Sequence, residues 1–329
     1  MPKARAHAAA ASLCAGLSAP FCCLQDQLLY LRLCALGLAT PTNTFTPQVP
    51  DAETLALCHC PAFVNAFLSG AIDAAAMRRI GLPWSEKLVR RTTLGVGSAV
   101  LAARLAVQYG VAAMSNGGTH HAHYAHGSGW CIFNDLAVAA RAAQRDMGVG
   151  RVLILDLDVH QGDGTAAIFA GDDTVFTFSL HCDDQSFPAH RPPSDRDVGL
   201  PAGAGDAEYA ALLSQHLPSV IDDVAPELVL YNAGADPHAD DALGLLKLSD
   251  AGLAARDAAV FNACGERGVP VAAAIGGGYA PDHDAIVERH VKMHAAAAAA
   301  FRQYGAQYAE AQAAKRAARR AARLAAAAA

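Results

Sequence analysis

The sequence predicts an α/β fold: a single doubly wound, mostly parallel β-sheet flanked by helices on both faces. Three observations carry this. Short apolar runs at 111–114, 152–157, 174–180, 228–232 and 271–275 alternate with helix-length stretches near 134–146, 206–223, 250–266 and 282–300, the order expected when helices cross between parallel strands. Several runs end in glycine and in polar or charged residues, and ligands of such sheets bind beyond the carboxyl ends of the strands. The chain has 329 residues, 53% of them apolar, enough to bury a large core.

Taken in order, residues 1–25 carry Lys3, Arg5 and His7 and then Ala/Ser/Cys-rich sequence with no acidic residue before Asp26. That composition fits a low-complexity leader or an organelle transit peptide. Gly16 and Pro20 interrupt a run already shorter than the about 18–20 residues of a membrane span, so none is expected. Leucines recur at helical spacing over 26–38, 40–50 is a Pro/Thr/Asn-rich loop, and a helix of small apolar residues runs over 94–109 and stops at Gly110. The division is a leader 1–25, one α/β domain 26–300 and an Ala/Arg-rich tail 301–329. In that tail Arg316, Arg319, Arg320 and Arg323 share a helix face, read as a solvated extension or a contact for acidic partners or membrane surfaces.

A net charge of −6 disfavours direct nucleic-acid binding and suits basic protein segments. Nine cysteines with no paired CxxC spacing read as reduced thiols of an intracellular protein, cytoplasmic or nuclear unless the leader directs it to an organelle. Cys58, His59 and Cys60 lack the second half of a metal knuckle.

The chemistry concentrates in RVLILDLDVHQGDGT, residues 151–165. In extended chain Asp156, Asp158 and His160 share one face while Leu157 and Val159 point the other way. Carboxylate and imidazole suit a borderline divalent metal such as Zn2+, and burying such charge without a cation costs several kcal/mol. Asp158 and His160 need a third ligand, and Asp236, after the strand at 228–232, is the best candidate, leaving an open position for water. His120 and His121 supply a base, with Asp156 and Asp163 free to orient one ring each. Tyr279, beyond Gly276–Gly278, can donate to a developing oxyanion. Metal, water, His base and Tyr donor together describe amide hydrolysis.

GGTHHAHYAHGSGWCIFNDLAVAA, LILDLDVHQGDGT, FSLH, YNAGADPHADDALG and GGGY, in that order, resemble the zinc-dependent histone deacetylase family within the arginase/deacetylase fold. DLDVHQGDG, YNAGAD and RRIGLPWS look most like its class IV branch and bacterial and plant relatives. The resemblance covers roughly residues 51–290. It implies one catalytic Zn2+ on Asp158, His160 and Asp236, and a His120/His121 dyad supported by Asp156 and Asp163, with His121 the general base and acid. Tyr279 matches the transition-state tyrosine. Gly129, Trp130 and Phe187 would wall an acyl-lysine tunnel, with Trp130 where the family usually has Phe. A structural K+ would use Asp156 and Ser179 with backbone carbonyls of Asp158, His160 and Leu180. The implied substrate is an acyl-lysine protein or peptide, histone tails among them, and class IV relatives are associated with long fatty-acyl groups. Two alternatives stand: deacetylation of a small molecule such as an acetylated polyamine, for which Asp183 and Asp184 would supply acid at the rim, and a catalytically silent acyl-lysine binding module, which loss of a site residue would have signalled.

Overall fold

The computed structural model describes residues 22–328; the readings placed on the leader up to residue 21, and on the side chains of Arg316, Arg319, Arg320 and Arg323, lie outside the described residues. The sheet is built from β1 (Val111–Ala113), β2 (Val152–Asp156), β3 (Val175–Cys182), β4 (Arg196–Leu200), β5 (Leu228–Asn232) and β6 (Val271–Ala274), all parallel, in the order β1-β6-β5-β2-β3-β4. From β2 the chain proceeds outward to β3 and β4, then returns to the other side for β5 and β6. The order therefore reverses between β2 and β5, which is where a doubly wound sheet opens a crevice for a ligand.

Strand alternation divides the core into two layers. Leu153, Leu155, Phe178, Leu180, Val229 and Tyr231 pack with α1 (Cys22–Ala35), α8 (Asp206–Val224), α9 (Asp250–Glu266) and α10 (His283–Ala328). Val152, Ile154, Val175, Leu228 and Leu230 pack with α2 (Ala52–Leu55), α3 (Pro61–Ser69), α4 (Ala74–Ile80), α5 (Glu86–Tyr109) and α6 (Asp135–Met147). Both faces are covered, so a strand such as β2 is apolar nearly throughout. Alanine has a packing role here: α6 is buried at Ala137, Ala139, Ala140, Ala142 and Ala143, and small side chains let it pack closely along α5.

The structure adds elements that the sequence reading passed over. Strand β4 has only Val198 and Leu200 facing inward, too few to register as an apolar run. Between 51 and 80 lie three short helices with local start and stop signals: Asp51 and Asp73 cap α2 and α4 by accepting from Thr54 N–H and Ala76 N–H, at 2.8 Å each, and left-handed Gly70 and Gly81 end α3 and α4. Helix α5 starts at Glu86 rather than 94, because Ser85 accepts from Leu88 N–H. A short α7 (Asp163–Phe169) follows β2. Helix α10 runs 46 residues, so 301–328 continue the last helix. Among the described residues no helix is long and apolar enough to cross a membrane.

The 40–50 loop crosses α5 at Gly97, where an added Cβ would stand 2.0 Å from the Gln48 carbonyl oxygen. Gly97→Ala should therefore destabilise the fold by about 1–3 kcal/mol, read as a lower midpoint in urea unfolding; an unchanged midpoint would mean that the loop moves away freely.

Candidate functional site

The alternation that starts in β2 persists past its end. Leu157 and Val159 enter the apolar core, while the Asp156 carboxylate accepts from Asp158 N–H (3.1 Å) and the Asp158 carboxylate from His160 N–H (3.0 Å). These turns bring three side chains to the crevice between β2 and β5. Ligand-competent atoms of Asp158, His160 and Asp236 lie within 4.8 Å of one another, and all three residues are buried. His160 Nδ1 is 3.1 Å from Asp158 Oδ1 and 3.3 Å from Asp236 Oδ2. Two ligands of a tetrahedral Zn2+ at 2.0–2.1 Å are about 3.3 Å apart, so the spacing fits.

Each carboxylate is oriented from behind. Gly277 N–H donates to Asp158 Oδ2 (2.8 Å) and Val159 N–H to Asp236 Oδ1 (3.0 Å), whereas Asp236 Oδ2 is buried without a hydrogen-bond partner. A buried carboxylate oxygen left over in this way calls for a cation. Gly277 is required by proximity: its Cβ would stand 2.2 Å from Asp236 Oδ2. Without a metal, burial and the neighbouring Asp158 charge push Asp236 up. Burial would lower His160, but the hydrogen bond with Asp158 and the two nearby carboxylate charges outweigh it and raise it to about 10. The imidazolium thus takes the place that a divalent cation would fill.

His120 and His121 stand beside this group, ring centroids 3.9 Å apart. His120 Nδ1 is 2.7 Å from Asp156 Oδ2 and His121 Nδ1 is 2.5 Å from Asp163 Oδ1, one aspartate per ring. Burial favours the neutral form of both, yet Asp156 and Asp158 overcome it at His120, which rises to about 9. His121 falls to about 4, from burial and then the His120 charge. With Nδ1–H donated to Asp163, His121 keeps the Nε2 lone pair available.

Several positioning groups were not anticipated. Asp163 is shared, since its Oδ2 also faces His123 Nε2 at 3.0 Å. Asp135 accepts from Gly118 N–H, Thr119 N–H and the Thr119 hydroxyl (2.8–2.9 Å), fixing the turn that leads into the dyad. Asn232 donates to Asp156 Oδ1 at 3.0 Å. Asp241 accepts from Tyr279 N–H at 2.7 Å and places the tyrosine, whose ring centroid is 6.5 Å from that of His160. Asn134 at the end of SGWCIFN was the one with a sequence signal, a helix N-cap ahead of an apolar run; it caps α6 through Ala137 N–H.

A cavity of about 350 Å3 opens on these groups, bordered by His120, His121, Gly129, Trp130, Asp158 and Tyr279. Gln25, Asp26 and Arg91 add polar groups to its lining; burial pushes the Asp26 carboxyl up to about 6 against the lowering charge of Arg91. At the mouth Trp130 is 48% exposed and its ring lies 5.4 Å from that of Tyr279. Phe187 stands edge-on to His121 at 4.7 Å. Ser179 lies opposite Asp156 in the β2–β3 register, with its hydroxyl 2.9 Å from His181 Nδ1. Asp184 accepts from Ala202 N–H at 2.7 Å, and Asp183 lies 3.5 Å from His181; neither borders the cavity. His59 is a buried bridge, 3.0 Å from the His123 carbonyl and accepting from Asn134 N–H at 2.9 Å, and Cys58 donates to the Ala137 carbonyl at 3.1 Å.

A family model described as Histone deacetylase domain matches residues 20–298. An uncharacterized protein of Picosynechococcus sp. is 47% identical over 271 residues, 82% of this chain and 90% of that protein. Histone deacetylase 2 of Arabidopsis thaliana is 35% identical over 187 residues, 56% of this chain and 48% of its own length. A protein named polyamine deacetylase HDAC10 from Rattus norvegicus is 38% identical over 157 residues, 43% of this chain and 26% of its own length. The matches thus span half or less of these two named relatives. Among solved structures, the HDA15 HD domain aligns with a TM-score of 0.69 at 23% identity, covering 82% of this chain and 80% of that one, which is a likeness of fold.

His59 gives the dyad's support a pH signature. Its Nε2 must be unprotonated to accept from Asn134, and burial pushes its pKa down to about 4. An unfolded histidine titrates near 6.5, so between about pH 6.5 and 4 the unfolded chain binds more protons and stability falls as pH falls. Urea midpoints at about pH 7 and pH 5 should show a smaller drop in His59→Gln than in the wild type; equal drops would contradict the assignment.

Proposed function

Because the chain belongs to the histone deacetylase family, a family of amide hydrolases, we propose that it removes acyl groups from lysine side chains of proteins or peptides, histone tails among them, with one catalytic Zn2+ held by Asp158, His160 and Asp236. The observation that carries this reading is the buried Asp236 Oδ2, which accepts no hydrogen bond, converging with His160 Nδ1 and Asp158, next to the base-competent His121 and at the side of a cavity.

When bound, the metal would polarise the amide carbonyl and lower the pKa of a water to about 7. The rest falls to the chain's own groups. His121 Nε2 takes a proton from the attacking water as the new C–O bond forms, with Asp163 holding its ring and stabilising the charge it gains. The same proton passes to the lysine nitrogen as the C–N bond breaks, which leaves an amine and a carboxylic acid, and the acid's proton then moves to the amine to give a carboxylate and an ammonium. His120, whose Nδ1 is held by Asp156 at 2.7 Å, lies beside the reacting centre with its ring against His121. Tyr279 donates its hydroxyl to the oxyanion. Gly129, Trp130 and Phe187 wall the passage of the lysine methylenes. A structural K+ would be held by Asp156, Ser179 and the carbonyls of Asp158, His160 and Leu180, a placement supported by the opposed register of Asp156 and Ser179.

The polyamine alternative draws support from the name of a relative, but neither Asp183 nor Asp184 borders the cavity, which weakens that reading. A silent binding module has no support, since every residue of the proposed machinery is in place.

Peptides bearing acetyl-, butyryl-, octanoyl- or myristoyl-lysine, tested beside acetylated spermidine with metal-reconstituted protein, should release free lysine side chains. Turnover of the polyamine alone would replace the protein-lysine reading. Tyr279→Phe should keep its metal and lose about a hundredfold in kcat; a near-normal rate would remove Tyr279 from the mechanism. Asp236→Asn should lower zinc content by atomic emission, and full occupancy would move the third ligand elsewhere.

A further inference from the structure

Arg256 and Asp257 of α9 are 3% and 1% exposed, an ion pair buried beside the ends of β2 and β5. The Arg256 Nε and Nη2 both approach Asp257 Oδ1, at 2.9 and 2.8 Å, and the Tyr231 hydroxyl donates to the same oxygen at 2.5 Å. The remaining nitrogen does something different. Arg256 Nη1 donates to two backbone carbonyls, Leu157 at 3.2 Å and Gly234 at 2.6 Å. Leu157 immediately precedes Asp158, and Gly234 stands two residues before Asp236.

These carbonyls lie where the sheet stops holding its strands together. The β2–β5 register ends at Asp156 opposite Asn232, with Leu157 N–H donating to the Asn232 carbonyl at 3.0 Å. Past that point the two segments lead to carboxylates that repel each other. A buried ion pair is on average no more stabilising than apolar residues of the same volume, so added stability does not account for the guanidinium. An apolar side chain, however, could not bridge two carbonyls on different strands. Arginine can, because its planar fork presents donors in fixed directions while remaining charged.

We propose that Arg256 is a positioning residue for the metal centre: by clamping the carbonyls of Leu157 and Gly234 it sets the separation of Asp158 and Asp236, and with it the affinity for a divalent cation. This rests on the reading of Asp158, His160 and Asp236 as ligands.

The test is Zn2+ affinity, measured by competition with a chelating indicator, together with thermal unfolding of the metal-free proteins. The variant is Arg256→Met combined with Asp257→Leu, which removes both charges and leaves no carboxylate stranded. Its affinity should fall about tenfold or more, the range for loss of groups that orient metal ligands, and Arg256→Lys, which returns a donor, should recover part of the loss. A smaller fall in the double variant overturns the proposal, and a lower melting temperature with that affinity retained would assign Arg256 to the core alone. If the double variant does not fold, Arg256→Gln, too short to span both carbonyls, is held to the same tenfold criterion. Failure of the wild type to bind Zn2+ would instead overturn the ligand reading and the proposal with it.

Discussion

Two carboxylates buried at neighbouring strand ends set the terms for the rest of this molecule. Asp158 and Asp236 are almost wholly inaccessible, and their mutual repulsion is little screened at such depth. The surroundings are arranged around that repulsion. Backbone N–H groups of Gly277 and Val159 aim at one oxygen of each residue. Glycine lets the β6 loop come close enough to do so. His160 sits within 3.1–3.3 Å of both, and their charges push its pKa up against burial.

The same principle separates two histidines that are neighbours in the chain and nearly stacked in space. Both are buried and both have an aspartate at Nδ1, yet their surroundings drive them apart. His120 faces Asp158 as well as Asp156, and their charges push its pKa up against burial. Burial and then the charge of His120 push His121 down. The opposite directions follow from a second carboxylate, Asp158, that lies 3.7 Å from His120. Asp163 is itself steadied by a further imidazole, His123.

Much of this could be read from the sequence, because it is encoded locally. The alternation of Asp156, Leu157, Asp158, Val159 and His160 is a property of extended chain, and the parallel sheet follows from apolar runs separated by helices. The resemblance of the motifs supplied the roles. What escaped has a physical reason in each case. Strand β4 is an edge strand with two inward residues, and the short helices of 51–80 announce themselves through caps rather than apolar periodicity. Asp135, Asp241, His123 and Arg256 act on groups that only folding brings near them. An aspartate that accepts a distant N–H has the same sequence signature as one that faces water.

The rim of the cavity shows where the chain departs from its own preferences. Gly129 and Trp130 both have positive φ, 52° and 61°. The conformation is free for glycine, but a bulky residue in the left-handed region carries on the order of 1–3 kcal/mol of strain. A hydrogen bond from Trp130 N–H to the Ile80 carbonyl at 2.8 Å holds it there, and the reward is an indole standing over Tyr279. Thermal robustness and a screened cavity rim therefore pull in opposite directions at residue 130: glycine there would relax the backbone but leave the Tyr279 ring without its indole neighbour.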